Sequence, residues 1–416
     1  MRTVPASGWG LLVVFAALTW HVAAVLSPAW IGAARPHNGR DFASYYYAAR
    51  VATNGGDPYD RPQLNQMARS DGARGGVHPF FYPPPFVAGS AWVAAFDLHG
   101  AFRIWFWLDE VMAVLAGLVL FLWWRDLSPL SGPVVVALLA LMTAVPNNHA
   151  MGQANLVVLV VLLGGLMAED RGKPVWAGVL VGMACMMKMS PALFVAWWLL
   201  RRRWWAAGTA CVTALVLSVA SLPVVGVVDQ VRFYTEILPK FATGDYNGLS
   251  IPIELFGNHS IPNLLHQVWP SGDRTLSDTA ASLGRVATLL LVGGLGAWFG
   301  IRPGPEDRWT VAGQAASVGV AMLLIPVYTY EHHLVWAVPA AVLAVLASGS
   351  GRLPLALSVP AGLAITVLLF DLQALKALFL DTDAFWPAIA VQELKTAAIA
   401  VLLVCTAWVG RGVGRS

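Results

Sequence analysis

The chain reads as an all-α, polytopic transmembrane helical bundle of about 12 spans. Three observations lead there. Of its 416 residues, 57% are hydrophobic and only 12% charged, against about 25% charged in ordinary soluble domains. Apolar runs at 9–29, 206–228, 281–301, 354–370 and 388–409 approach the roughly 20 residues that cross about 30 Å of hydrocarbon. Between the runs, short arginine-bearing loops alternate with turns that carry no Arg, the positive-inside pattern of membrane proteins. The net charge of +3 carries no nucleic-acid signal, because the basic residues are spread over those loops as topology signals.

An N-terminus on the cytoplasmic side gives a consistent path through a single membrane domain, 1–416. Span 1 (9–29), flanked only by Arg2 and lacking a small-residue cleavage site, reads as an uncleaved span rather than a signal peptide. It leads to a long extracytoplasmic loop, 30–85, and a short apolar piece, 86–97, expected to lie in the interface. Span 2 (103–124) returns to Arg125. Spans 3 and 4 (133–146, 154–168) flank an outer turn, 146–153, and spans 5 and 6 (174–187, 191–200) flank Lys188–Pro191. Span 7 (206–228) opens a second long outer loop, 229–280, and spans 8 to 12 follow at 281–301, 310–327, 334–348, 354–370 and 388–409. Arg125, Arg171, Arg201, Arg202, Arg203, Arg302, Arg308, Arg352 and Arg411 then share one side, where both termini lie. Trp123–Trp124, Trp197–Trp198 and Trp204–Trp205 fit interfacial belts. Cys185, Cys211 and Cys405 lie in apolar segments with no partner at metal-ligand spacing, which argues against a disulfide framework or a zinc site.

The unusual polar residues gather at the other ends of the spans. Asp41 precedes an aromatic run, Phe42 to Tyr47. It fits the N-cap of a short helix whose apolar side rests on the membrane, or else a carboxylate at the membrane surface able to take a proton from an attacking hydroxyl. Lys188 sits between apolar spans, where a charge costs roughly 2.5–3.5 kcal/mol or more; it must snorkel, pair or hold an anion such as a lipid phosphate. Glu331-His332-His333 opens span 10 at the same level. Adjacent histidines do not face one way on a helix, so a metal site there needs Asp41 and Glu331 as further ligands. A His donating to a phosphate or orienting a carboxylate is the preferred reading, and neither a metal nor another cofactor is expected. His149, Gln153 and Asn155 are hydrogen-bonding groups at a helix entry, fitted either to capping and interhelical contacts or to substrate. Asn258-His259-Ser260 matches a glycosylation triplet that is too common to weigh.

These motifs, in this order, resemble glycosyltransferase family 87 of the GT-C superfamily, which includes bacterial polyprenyl-phosphate-mannose-dependent α-mannosyltransferases. They are Asp41-Phe42-x-x-Tyr45, Gly56-Asp57-Pro58-Tyr59, Phe81-Tyr82-Pro83-Pro84, Gly152-Gln153-x-Asn155, Lys188-x-x-Pro191 with Arg203-Trp204, Asn258-His259-Ser260-x-x-Asn263 and Glu331-His332-His333. The family pattern often has Gln at position 259 and Asp at 331. The resemblance implies a GT-C-like fold and a membrane hexosyltransferase working at the extracytoplasmic face with inversion. Asp41 becomes the catalytic carboxylate and His332 the second critical group; Lys188, His332 and His333 meet the donor phosphate. Tyr45, Tyr82, His149, Gln153, Asn155, Asn258 and Glu331 become sugar or acceptor contacts. The implied partners are a polyprenyl-phosphate-linked sugar, a lipid or glycan acceptor and membrane lipids, with no nucleic acid. Alternatives are another lipid-linked sugar such as a pentose, or a lipid or solute transporter.

Overall fold

The computed structural model describes residues 8–26, 39–73, 75–249, 251–272, 275–300, 307–372 and 385–412, and among these the regular elements are helical, with no strand. Helix α1 (Gly8–His21) ends in one π-turn. Helices α2 (Arg40–Thr53), α3 (Arg61–Ser70) and α4 (Pro84–Ser90) build the first long loop. Then come α5 (Leu98–Trp124), α6 (Ser131–Leu141), α7 (Ala144–Met151), α8 (Asn155–Asp170), α9 (Pro174–Met187), α10 (Ala192–Leu200) and α11 (Trp204–Ala220). After a second loop carrying α12 (Ile261–Val268), the chain continues through α13 (Asp278–Gly300), α14 (Arg308–Leu324), a 3-10 stretch (Glu331–Ala337), α15 (Val338–Gly349), α16 (Leu355–Leu369), α17 (Phe385–Gln392) and α18 (Leu394–Gly410).

Among the described residues, four segments are long and apolar enough to cross a membrane: Leu98–Trp124, Trp204–Val225, Asp278–Gly300 and Glu331–Gly349. A fifth arises if α6 and α7, bent by 49°, count as one span. Their outer faces carry bare apolar side chains, Leu215 at 66%, Leu289 at 72% and Leu290 at 70% exposed, the surface a hydrocarbon solvent requires. Further apolar helices at Gly10–Leu26, Pro174–Met187, Leu355–Leu369 and Leu394–Gly410 are shorter. Residues 146–153, read from sequence as an outer turn, are instead mostly helix α7, ended by Gly152.

The arginine-bearing loops converge. Arg308 pairs with Asp126 and lies 4.0 Å from Asp170; Arg203 meets Glu169 at 3.1 Å; Arg201 donates to Gln314 Oε1 at 2.7 Å. These contacts tie the ends of α5, α8, α10 and α14 into one rim. Arg302 lies outside the described residues. The Trp pairs behave differently from expectation: Trp123, Trp124 and Trp198 are buried, and Trp123 Nε1 donates to Asp170 Oδ2 at 3.0 Å. Only Trp204 and Trp205 face outward. Indoles at this rim fill space between packed helices and satisfy a buried carboxylate, a use that sequence position alone does not separate from a lipid belt.

At the other end of α8, about 24 Å away for 16 residues at 1.5 Å each, two glycines set the site. Gly39 and Gly152 both have left-handed backbone, φ 73 and 67, and Gly39 N–H donates to Ala150 C=O at 2.8 Å. A Cβ on Gly152 would fall 2.6 Å from Phe42 Cβ and 3.0 Å from the Phe102 ring. This close approach seats the first turn of α2 against the α7–α8 junction. Gly152→Ala is therefore expected to cost on the order of 2 kcal/mol, read as lowered thermal stability in detergent. Gly208→Ala, on an open face of α11 with no atom within 4 Å of the new methyl, is expected to be neutral or stabilising; equal shifts in the two would rule out the tight fit.

Candidate active site

Asp41 is not an N-cap. Gly39 holds that position with no side-chain cap, and Asp41 lies in the first turn of α2, where the helix N-terminus favours an anion. The aromatic residues after it are not on the membrane either. Phe42, Tyr45, Tyr46 and Tyr47 are buried within the protein against Phe80, Tyr82, Phe86 and Trp105. A helix that buries its aromatic side inward turns its acid toward an internal cavity.

That cavity is about 320 Å³ and is lined by Asp41, Tyr45, His78, Tyr82, Gln153, Lys188, His332 and His333, with aromatic walls from Phe81, Phe241, Tyr246, Tyr328, Tyr330 and Trp336. Asp41 Oδ1 lies 3.1 Å from His78 Nδ1, and Oδ2 accepts from Gln153 Nε2 at 2.8 Å. Gln153 has no choice of orientation. Its Oε1 takes the hydroxyls of Tyr45 at 2.9 Å and Tyr82 at 3.1 Å, so its NH₂ must face the carboxylate. Burial would raise the Asp41 carboxyl, but the His78 hydrogen bond, the nearby His332 imidazole and the Gln153 amide outweigh it, and its pKa falls below the ordinary value. Burial pushes Tyr45 and Tyr82 upward, which keeps both as neutral donors.

Lys188 occupies the break between α9 and α10, outside both helices, in extended backbone. Met189 to Pro191 prevent α9 from continuing, so the side chain enters the cavity instead of lying along a helix. Its Nζ donates to Asn155 Oδ1 at 2.7 Å and sits 5.2 and 5.8 Å from the ring centres of Trp336 and Tyr82. Burial pulls its pKa down to about 7, with Asp41 opposing. An ammonium so placed has a seat of ring faces and an amide but, among the described residues, no carboxylate in direct contact, the arrangement that a bound anion completes. Asn155 is fully buried behind Lys188. His332 and His333 stand ring to ring, 4.4 Å between centres, and His333 Nδ1 accepts from Tyr330 N–H at 2.9 Å.

Four of the residues assigned from sequence to sugar or acceptor do not line this cavity: Asn155, which backs Lys188, and Glu331, Asn258 and His149. Glu331 turns away from the cavity, into the protein, to Lys395 Nζ and Thr143 Oγ1, each at 2.5 Å, and to His259 at 3.5 Å. Asn258 staples a loop: its Nδ2 donates to Ile253 and Val327 carbonyls, both at 3.0 Å, and its Oδ1 accepts from Thr329 N–H at 2.9 Å. His149 Nε2 lies 3.0 Å from Glu110 Oε1, a carboxylate also met by His21 at 3.3 Å. The sequence reading missed His78, which has no motif around it, and Lys395, hidden in an apolar run. Among the described residues, no group of three or more His, Cys, Asp and Glu is placed to hold a metal ion.

A second, larger cavity of about 600 Å³ adjoins the first, sharing His78, Leu249 and Ile251. Arg40, Arg61 and His99 line it without an Asp or Glu. Asp41 therefore stands beside the boundary between an apolar chamber with a lysine and a cationic one open to the loops.

An all-helical protein with membrane-capable helices, an acid and a cation sharing one semi-enclosed chamber, is the class that fold and site define. The chain belongs to glycosyltransferase family 87, whose family model matches residues 80–326, more than half of the 416. It is 26% identical over 253 residues to a polyprenol-phosphate-mannose-dependent alpha-(1-2)-phosphatidylinositol mannoside mannosyltransferase of Mycolicibacterium smegmatis. The match takes in 59% of this chain and 53% of that curated relative, so it spans about half the relative's length. Tyr82, Gln153 and Lys188 fall inside the family match; Asp41, His332 and His333 flank it. The membrane-capable helices and this membership make the chain a membrane protein.

Lys395 is fully buried and its partner Glu331 is 12% exposed. Lys395→Met is thus expected to cost about 3 kcal/mol by stranding the carboxylate, and adding Glu331→Gln to recover part of it. Thermal unfolding of the single and double variants in detergent checks this; a double variant less stable than Lys395→Met would refute the pairing.

Proposed function

We propose that the protein is a membrane glycosyltransferase that moves a hexose, mannose first, from a polyprenyl-phosphate sugar to a lipid or glycan acceptor at the extracytoplasmic face, with inversion. The observation that carries the reading is the meeting of Asp41, Lys188 and His332 in one chamber. The relative's dependence on polyprenol-phosphate mannose points to the donor. The gathering of Arg201, Arg203 and Arg308 at the far ends of the helices supports a cytoplasmic arginine rim opposite an outward site, within the multi-pass, GT-C-like topology of about 12 spans and cytoplasmic termini that we propose.

The chemistry follows from the geometry. The donor lipid enters the apolar chamber sideways and sets its phosphate against Lys188 and His332. An acceptor hydroxyl reaches the sugar from the side of the second cavity, whose Arg40 and Arg61 suit an anionic acceptor. Its oxygen bonds to the anomeric carbon as the carbon–oxygen bond to phosphate breaks. The electron pair goes to the leaving phosphate oxygen, and the hydroxyl proton goes to Asp41. Charge growing on the phosphate is offset by groups already in place, and the water-poor aromatic walls strengthen that interaction.

Radiolabel transfer from a set of synthetic polyprenyl-phosphate sugars tests the reading. Mannose is expected to transfer best, and Asp41→Asn to lose at least about 100-fold in rate while keeping donor binding; normal turnover by that variant removes Asp41 as base.

The pH profile gives a second test. The carboxylate of Asp41, with its lowered pKa, is present throughout the ordinary carboxylate range and above, and is lost only as pH falls below that range. The cation of Lys188 is present below its pKa of about 7 and lost as pH rises through it. Donor kcat/KM is thus expected to fall on the alkaline side of that value, while kcat holds to higher pH, because bound phosphate keeps the ammonium protonated. Lys188→Arg should remove the alkaline limb, and its persistence would assign the limb to another group.

A further inference from the structure

Helix α5 is an apolar 27-residue segment that carries two adjacent acids at its middle, Asp109 and Glu110. Ionisable residues at such a position are costly and mark function by default, with a partner to be named. Glu110 has His149 and His21. Asp109 is completely buried and has no cationic partner; its Oδ1 accepts no hydrogen bond among the described residues, and its Oδ2 accepts from Asn148 Nδ2 at 3.1 Å.

We infer that Asp109 is a positioning residue for Lys188, acting through Asn148 and Asn155; this rests on the assignment of Lys188 to the donor phosphate. The argument is one of donors and acceptors. Lys188 can only donate, so Asn155 must turn its Oδ1 toward it, at 2.7 Å. The Asn155 NH₂ then points the other way and is taken by Asn148 Oδ1 and the His332 carbonyl, both at 3.1 Å. Asn148 must in turn direct its NH₂ to the Gln153 carbonyl at 3.0 Å and to Asp109. The chain is polar in one direction, begun by an obligate donor and closed by an acceptor. Without an acceptor at 109, Asn148 keeps only the Gln153 carbonyl for its NH₂, and the support it gives Asn155 from behind is weakened. The same two amides hold the carbonyls of Gln153 and His332, so one acid deep in α5 sets the backbone on both sides of the cavity.

The test measures KM and kcat separately for mannosyl transfer from polyprenyl-phosphate mannose by the purified full-length protein. Asp109→Leu, alike in branching though bulkier and unable to accept, is expected to raise donor KM about tenfold with acceptor KM unchanged. Asp109→Asn keeps an acceptor oxygen toward Asn148 and is expected to bring donor KM back to within about twofold of the natural protein. Asn148→Leu cuts the same chain one link later and should give the same rise, which keeps the result readable if Asp109→Leu fails to fold. Lys188→Ala, measured in parallel, separates the two readings. Should it leave donor KM unmoved, the phosphate role of Lys188 fails. Should it raise donor KM while neither Leu variant does, the relay alone is overturned. A drop in kcat matching the loss of folded protein, with donor KM constant, also overturns it, as does an Asp109→Asn variant no better than Asp109→Leu.

Discussion

A half-buried carboxylate must stay charged beside a membrane, and the arrangement of the outer end follows from how Asp41 is kept so. Solvation lost on burial is replaced by His78 on one oxygen and Gln153 on the other. Gln153 can serve only because Tyr45 and Tyr82 both donate to its carbonyl. Those tyrosines are protonated as phenols are at neutral pH, and burial moves their pKa further up. Each member is held by the donor or acceptor demand of the next, which makes a polar network rigid when complete and costly when any part is missing.

The same rule explains the division of polar residues at depth. Glu331 with Lys395, and Glu110 with His149, settle their needs inside the protein, so they hold helices together and have little left to offer a ligand. Lys188 differs because its direct partner is an uncharged amide and two ring faces. A cation left with capacity, in an apolar chamber, is the feature that separates a binding group from interhelical glue.

Geometry at the backbone level makes the meeting possible. Left-handed turns at Gly39 and Gly152 bring the α2 start and the α7–α8 junction close enough for Asp41 and Gln153 to bond. The break at Lys188–Pro191 ends α9 at the same level. Three interruptions of regular structure, from different parts of the chain, converge on one chamber.

Composition and apolar runs alone determined that the chain is helical and membrane-bound. Loop arginines marked one end of the helices, and Asp41, Lys188, Gln153, His332 and His333 marked the other, because depth along a helix can be read from position in the chain. Rotation about the helix axis cannot, since every side of a membrane helix is apolar enough to be a packing face. Hence Glu331 beside His332, and Asn258 in a separate motif, were read as site residues, yet the fold turns them away. Hence also His78, Lys395 and Asp109 passed unnoticed, their partners being 37, 64 and 39 residues distant. Only the tertiary structure decided which polar groups are spent on one another and which remain for a substrate, because that depends on the azimuth at which packed helices face each other.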